Sequence, residues 1–174
     1  MAVSPFGYCI SWLLIANPAE EEREPISELR WAVRLYQEQR FRRAIYTNRY
    51  SLEQRWRDLA NNHVYQPNWR VRYQARLEFP LKASWLHLPL SLVVFDEVFI
   101  HFGKAVKNNP NVFDQNRIYA GFNYGLSKNV KFGLGYIYQI QQRNNGKEFD
   151  QANVLFGVLT LDNVISRFHA TRKP

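Results

Sequence analysis

Residues 69–81 read WRVRYQARLEFPL, and every odd position is apolar: Trp69, Val71, Tyr73, Ala75, Leu77, Phe79 and Leu81. The even positions from 70 to 78 are Arg70, Arg72, Gln74, Arg76 and Glu78. A helix, with its period of 3.6 residues, would scatter both sets round its axis, whereas an extended strand sorts them onto two faces. The same period of two recurs along most of the chain. It predicts strands over 6–16, 25–39, 44–57, 69–81, 88–102, 113–126, 130–141 and 149–161. A helix competes only over 19–42, where Pro25 interrupts it and 29–35 fits a period of two better.

The connections between these strands alternate long and short, and Asn, Gly, Lys and Pro dominate them. Outer-membrane barrels show such an asymmetry, with short periplasmic turns and longer external loops. The expected fold is therefore all-β: an up-and-down antiparallel β-barrel of the outer-membrane type. About eight strands are visible, and ten to twelve are the alternative count for a longer chain. A single barrel domain is expected over 1–162, followed by a C-terminal tail over 163–174. The segment MAVSPFGYCISWLLIANPAEE lacks the positive start of a signal peptide, and its residues alternate, so it reads as a strand. The expectation is a chain without its export signal and leading strands. No run of 18 apolar residues is present, so no transmembrane helix is expected.

Alternation alone cannot separate a soluble barrel with an apolar core from a membrane barrel with an apolar exterior. Three features favour the second. The polar faces carry Arg30, Arg34, Arg49, Arg55, Arg70, Arg72, Arg76, Arg117 and Lys131 against Glu38, Glu53, Glu78 and Glu97, with Arg far outnumbering Lys. A guanidinium pairs bidentately with carboxylates in a confined space, which suits an interior better than a solvated face. Gly121, Gly125, Gly133 and Gly135 share that polar face, where small residues leave room for long Arg side chains. Trp56, Trp69, Tyr124, Tyr136 and Tyr138 lie on the apolar face, suited to the aromatic girdles of a membrane barrel. The candidate site is thus a lumen charge network of Arg30, Arg34, Arg49, Glu53, Arg55, Arg70, Arg72, Arg76, Glu78, Glu97, Arg117 and Lys131. It would act as a structural plug or as a narrow, porin-like, anion-selective passage.

The net charge of +8 points to anionic partners. Its interleaving with apolar residues argues against nucleic acid, leaving the lipid bilayer of a Gram-negative outer membrane and small anions. One cysteine, Cys9, excludes an internal disulfide, and the four histidines show no metal-ligand spacing, so no cofactor is expected. The chain reads as non-enzymatic. A lipid-modifying enzyme is the less favoured alternative, with Ser91, His101 and Glu97 as its candidates, but no nucleophile elbow is present. The other alternative is a soluble β-barrel binding an apolar ligand.

The segments NRYSLEQRW (48–56), WRVRYQARLEFPL (69–81), FDEVFIHFG (95–103) and FDQNRIYAGFNYGLSKNVKFGLGYIYQ (113–139) resemble the DUF2490 family, a bacterial family of unknown function. The resemblance runs from about Gly7 to Leu161 and is most specific in the last of these blocks. It implies an exported outer-membrane β-barrel and supplies neither catalytic residues nor a substrate. The final residues, DNVISRFHATRKP, depart from a barrel that stops at its last strand with a terminal aromatic.

Overall fold

The computed structural model describes residues 2–16, 25–58, 60, 62–81, 89–103, 112–127, 129–143 and 146–161, with side chains from Ser27 onward. Its elements are β1 (Ala2–Ala16), β2 (Pro25–Arg40), β3 (Ile45–Arg57), β4 (Gln66–Leu81), β5 (Leu90–Gly103), β6 (Phe113–Ser127), β7 (Val130–Gln142) and β8 (Phe149–Leu161). All eight lie in one sheet in chain order, each antiparallel to the next, which is the up-and-down arrangement the alternation predicts. Among the described residues no ladder joins β8 to β1. The helix that competed over 19–42 does not form over Pro25–Arg40, which is extended throughout. The expected tail, 163–174, lies outside the described residues.

Burial is inverted relative to a water-soluble protein. Glu28, Glu53 and Asn68 are fully buried, as nearly are Arg55, Arg70, Glu97 and His101. Leu52, Val71, Ile118, Phe122, Leu134 and Leu155 are exposed. The sheet therefore curls with its polar face inward. In a flat sheet, strands three apart lie about 14 Å from each other. Arg55 on β3 nevertheless comes within 3.8 Å of Asp114 on β6, three strands away.

The outward face carries a belt of apolar side chains that crosses the sheet obliquely. The register row through Leu35 of β2 passes Tyr50, Tyr73, Val98, Asn116 and Ile140 and ends at Gln151 of β8. On β2 the apolar run lies on one side of this row, at Leu29, Trp31, Val33 and Leu35; on β8 Leu155, Leu159 and Leu161 lie on the other. The belt is displaced by about its own height across the sheet. That offset is of the order expected when a flat slab is crossed by strands tilted by about 35–45°. The polar groups interrupting the belt pair with one another. Tyr73 donates to Asn48 at 2.7 Å, Asn116 donates to Asp96 at 2.5 Å, and Tyr136 donates to Asn153.

Three sequence expectations need correction. The connection at 82–89 is as long as that at 58–65, so the short side of the sheet holds tight turns only at 41–44 and 128–129. Tyr136, expected among the girdle aromatics of the apolar face, sits mid-strand on that face and hydrogen-bonds Asn153. None of the inward glycines makes room for an arginine: Gly121 and Gly135 accommodate Tyr119, Gly125 abuts Pro89, and Gly133 abuts Asn123 and Val158. A Cβ on Gly135 would fall 2.5 Å from the Tyr119 ring, and one on Gly121 would fall 2.5 Å from the Leu134 carbonyl. Tyr119 thus lies flat across two glycines and stacks on Phe95 at 4.7 Å. With Val93 and Ile137 these rings form a small inward apolar cluster beside the charged region.

Candidate functional site

The charged interior is built from β2 to β6, and register alone brings its members together. Arg30 lies opposite Arg55, and Ala32 opposite Glu53. Glu53 lies opposite Arg70, Arg72 opposite Phe99, and Glu97 opposite Arg117. Like charges placed opposite each other repel unless carboxylates sit between them. Four acids do this.

Glu28 accepts from Arg30 at 2.5 Å and from Arg55 at 2.5 Å. Glu53 accepts from Arg70 at 2.6 Å and from Arg72 at 2.7 Å, with Arg30 at 3.9 Å. Glu97 takes Arg49 and Arg72, both at 2.7 Å. Asp114 faces Arg70 at 3.3 Å, Arg55 at 3.8 Å and His101 Nδ1 at 3.3 Å. Because Arg55, Arg70 and Arg72 each bridge two acids, the pairs join into one continuous lattice. Its middle is Phe99, which is 1% exposed. The guanidiniums of Arg72, Arg117 and Arg70 lie 4.6, 4.9 and 5.2 Å from its ring centroid, in cation–π range.

Of the network expected from the sequence, Arg30, Arg49, Glu53, Arg55, Arg70, Arg72 and Glu97 belong to the lattice. Arg76 and Glu78 form a separate local pair at 2.6 Å. Arg117 makes no ion pair among the described residues; it stacks on Phe99 and donates to Gln139 at 3.1 Å. Arg34 shares the inward face, but its buried Nε has no hydrogen-bond partner among the described residues. Lys131 shares the face as well, yet it is exposed near the start of β7, away from the lattice.

Two acids of the lattice were not anticipated. Glu28 was legible, since it precedes Arg30 by two positions and so shares its face. Asp114 was not. By parity it should point outward, but the register shifts at Phe99/Ile100, where β6 carries one residue more than β5. The bulge buries Asp114 and Gln115 together, at 8% and 4% exposure.

The arrangement offers charge pairing rather than covalent chemistry. Ser91 and His101 sit on one strand about 33 Å apart at the usual rise per residue, and His101 is engaged with Asp114. No group of three metal-ligating side chains occurs among the described residues.

Beside the lattice is a pocket of about 370 Å³ that reaches from β3 to β8. Arg49, Arg72, Arg76 and Arg117 supply its cationic lining, and Glu97 is the only carboxylate lining it among the described residues. Phe95, Ile137, Phe156 and Val158 supply its apolar lining, and Asn123 and Thr160 line it as well.

No curated protein and no solved structure matches the chain. The profile of one family of proteins of unknown function, DUF2490, matches residues 4–150, spanning β1 to the start of β8. With most of its length covered, the chain belongs to the DUF2490 family.

Proposed function

We propose that this chain is a non-enzymatic β-barrel protein of the Gram-negative outer membrane, its apolar face set in lipid and its Arg/Glu interior serving as a structural plug. The oblique apolar belt carries this reading. A face of exposed Leu, Val, Phe and Tyr is unfavourable in water but suited to acyl chains. The polar groups interrupting the belt pair as low-dielectric surroundings demand, the Tyr73 and Tyr136 hydroxyls with Asn48 and Asn153 and the Asn116 amide with the Asp96 carboxylate. In hydrocarbon every backbone group must find a partner, so the free edges of β1 and β8 must also be paired there.

The plug is favoured over an anion-selective passage because the lattice is closed on itself. Its central acids, Glu28 and Glu53, are fully buried, and each already holds two guanidiniums. The test is fractionation of cells that make the protein. Recovery in the outer membrane, release only by detergent and faster gel migration before heating are the expected results. Recovery as a detergent-free soluble monomer would overturn the reading.

A further inference from the structure

We propose that the pocket between the lattice and β8 binds a single-chain amphiphilic anion, its carboxylate or phosphate head on the arginine wall and its hydrocarbon tail on the apolar wall. Both walls are incompletely satisfied. On the polar side, Arg117 has no carboxylate within ion-pair distance among the described residues, and the buried Arg49 Nε has no acceptor. Glu97 already shares one oxygen between Arg49 and Arg72, leaving the pocket with an excess of positive charge. On the apolar side, Phe156 and Val158 point inward yet remain 37% exposed each. Their register partners on β7, Gly135 and Gly133, are already covered by the Tyr119 ring and by Val158 itself, so the apolar surface left to a ligand is that of Phe156 and Val158.

A purely polar anion would leave the apolar wall wet. A neutral lipid would leave Arg117 without a counter-charge, since Arg49, Arg72 and Arg76 already hold carboxylates. An anion carrying one acyl chain satisfies both, and about 370 Å³ lies toward the small end of the ~300–1,000 Å³ usual for small-molecule sites. That size suits one chain rather than two. Fatty acids and singly acylated phosphates share this chemistry.

The alternation of β8 supplies a readout that separates the pocket from bulk lipid contact. Even-numbered residues such as Phe156 and Val158 face the pocket; Leu155 and Leu159 face outward. The purified full chain in phosphatidylcholine nanodiscs is irradiated with dodecanoate bearing a tail diazirine, and the adducts are mapped by mass spectrometry. Adducts at Phe156 and Val158 are expected, displaced by dodecyl phosphate or dodecanoate at concentrations at least tenfold below those needed for 1-dodecanol or inorganic phosphate. A stronger effect of dodecyl phosphate names a phosphorylated lipid as the source; a stronger effect of dodecanoate names a fatty acid.

Arg117→Gln removes a cation that holds no ion pair, so the fold should survive. It should lower the inward adducts at least tenfold and leave the outward ones unchanged. Adducts confined to Leu155 and Leu159, no adducts at all, or equal displacement by inorganic phosphate or by dodecanol would each overturn the proposal. None of these outcomes touches the membrane reading, which rests on fractionation.

Discussion

Replacing Glu53 by Gln keeps the shape of a fully buried side chain and removes its charge. Three guanidiniums lose a counter-ion at once, those of Arg70, Arg72 and Arg30, at 2.6, 2.7 and 3.9 Å. With an effective dielectric of about 20, one such pair attracts by about 4 kcal/mol before desolvation is counted. Removing one partner from a buried pair costs about 3–5 kcal/mol in practice, because the remaining charge stays desolvated. That is a large share of the roughly 5–15 kcal/mol that separates folded from unfolded chains.

The loss should stay below the sum over three pairs, since Arg72 keeps Glu97 and Arg30 keeps Glu28. Arg70 is the cation left most exposed to the change, so adding Arg70→Met should recover part of the loss. Urea unfolding of the chain in phosphatidylcholine bilayers, followed by tryptophan fluorescence and by heat-modifiable migration, measures both variants. If the interior is instead a water-filled passage, the same pairs are screened and worth about 0–1 kcal/mol. A cost below about 1 kcal/mol for Glu53→Gln would therefore refute the dry plug.

Val71→Arg places a charge on the outward face near the middle of the belt and should cost about 2–4 kcal/mol in a bilayer; a cost below about 0.5 kcal/mol in the same unfolding assay would point to a solvated surface. Replacing both members of the Asn116–Asp96 pair by Val should act in the opposite sense, stabilising the lipid-embedded chain by about 1 kcal/mol, whereas Asp96→Val alone should gain less because it leaves the Asn116 amide without its acceptor. Gly135→Ala should cost about 1–3 kcal/mol through collision with the Tyr119 ring, and Tyr119→Ala in the same chain should relieve the clash; additive losses would show that the two do not touch. Asp114→Asn should cost about 1–3 kcal/mol, less than Glu53→Gln, since its contacts with Arg70, Arg55 and His101 are longer.

Parity made most of the site legible. Once Arg70, Arg72 and Arg76 are assigned to one face, an unbroken ladder carries that assignment to Arg49, Glu53, Arg55 and Glu97, because one-residue steps in register would flip every side chain. The method fails where the ladder is broken, and Asp114 lies at such a break. Partner choice was less legible than facing. Nothing in the spacing of Arg76 and Glu78 says that they pair locally, or that Arg117 stacks on Phe99 rather than meeting Glu97, which lies opposite it in register. The inward glycines were located correctly but explained wrongly. The role of Gly121 and Gly135 depends on Tyr119, whose ring crosses from β6 to β7, a contact that no single-strand pattern encodes. In β8 both faces are apolar, so parity could not say which side looks inward; pairing with β7 decides it.

The bulge that hides Asp114 from sequence reading is also what lets the lattice close. Without it, β6 would offer only Gln115 and Arg117 to the interior at this level, and Arg55 and Arg70 would meet Glu28 and Glu53 with no acid on the far side. A bulge both adds a side chain to one face and sharpens local twist. Here the added side chain is a carboxylate, and the bend brings it within reach of strands two and three places away. The charges thus fasten the curl of the sheet, and the curl excludes water from the charges. Farther along the same sheet, around the pocket, β7 and β8 contribute glycines, Ile137, Phe156 and Val158, so the inward face passes there from ionic to apolar within one continuous ladder. The pocket lies at that change because neither kind of packing can complete itself across the boundary.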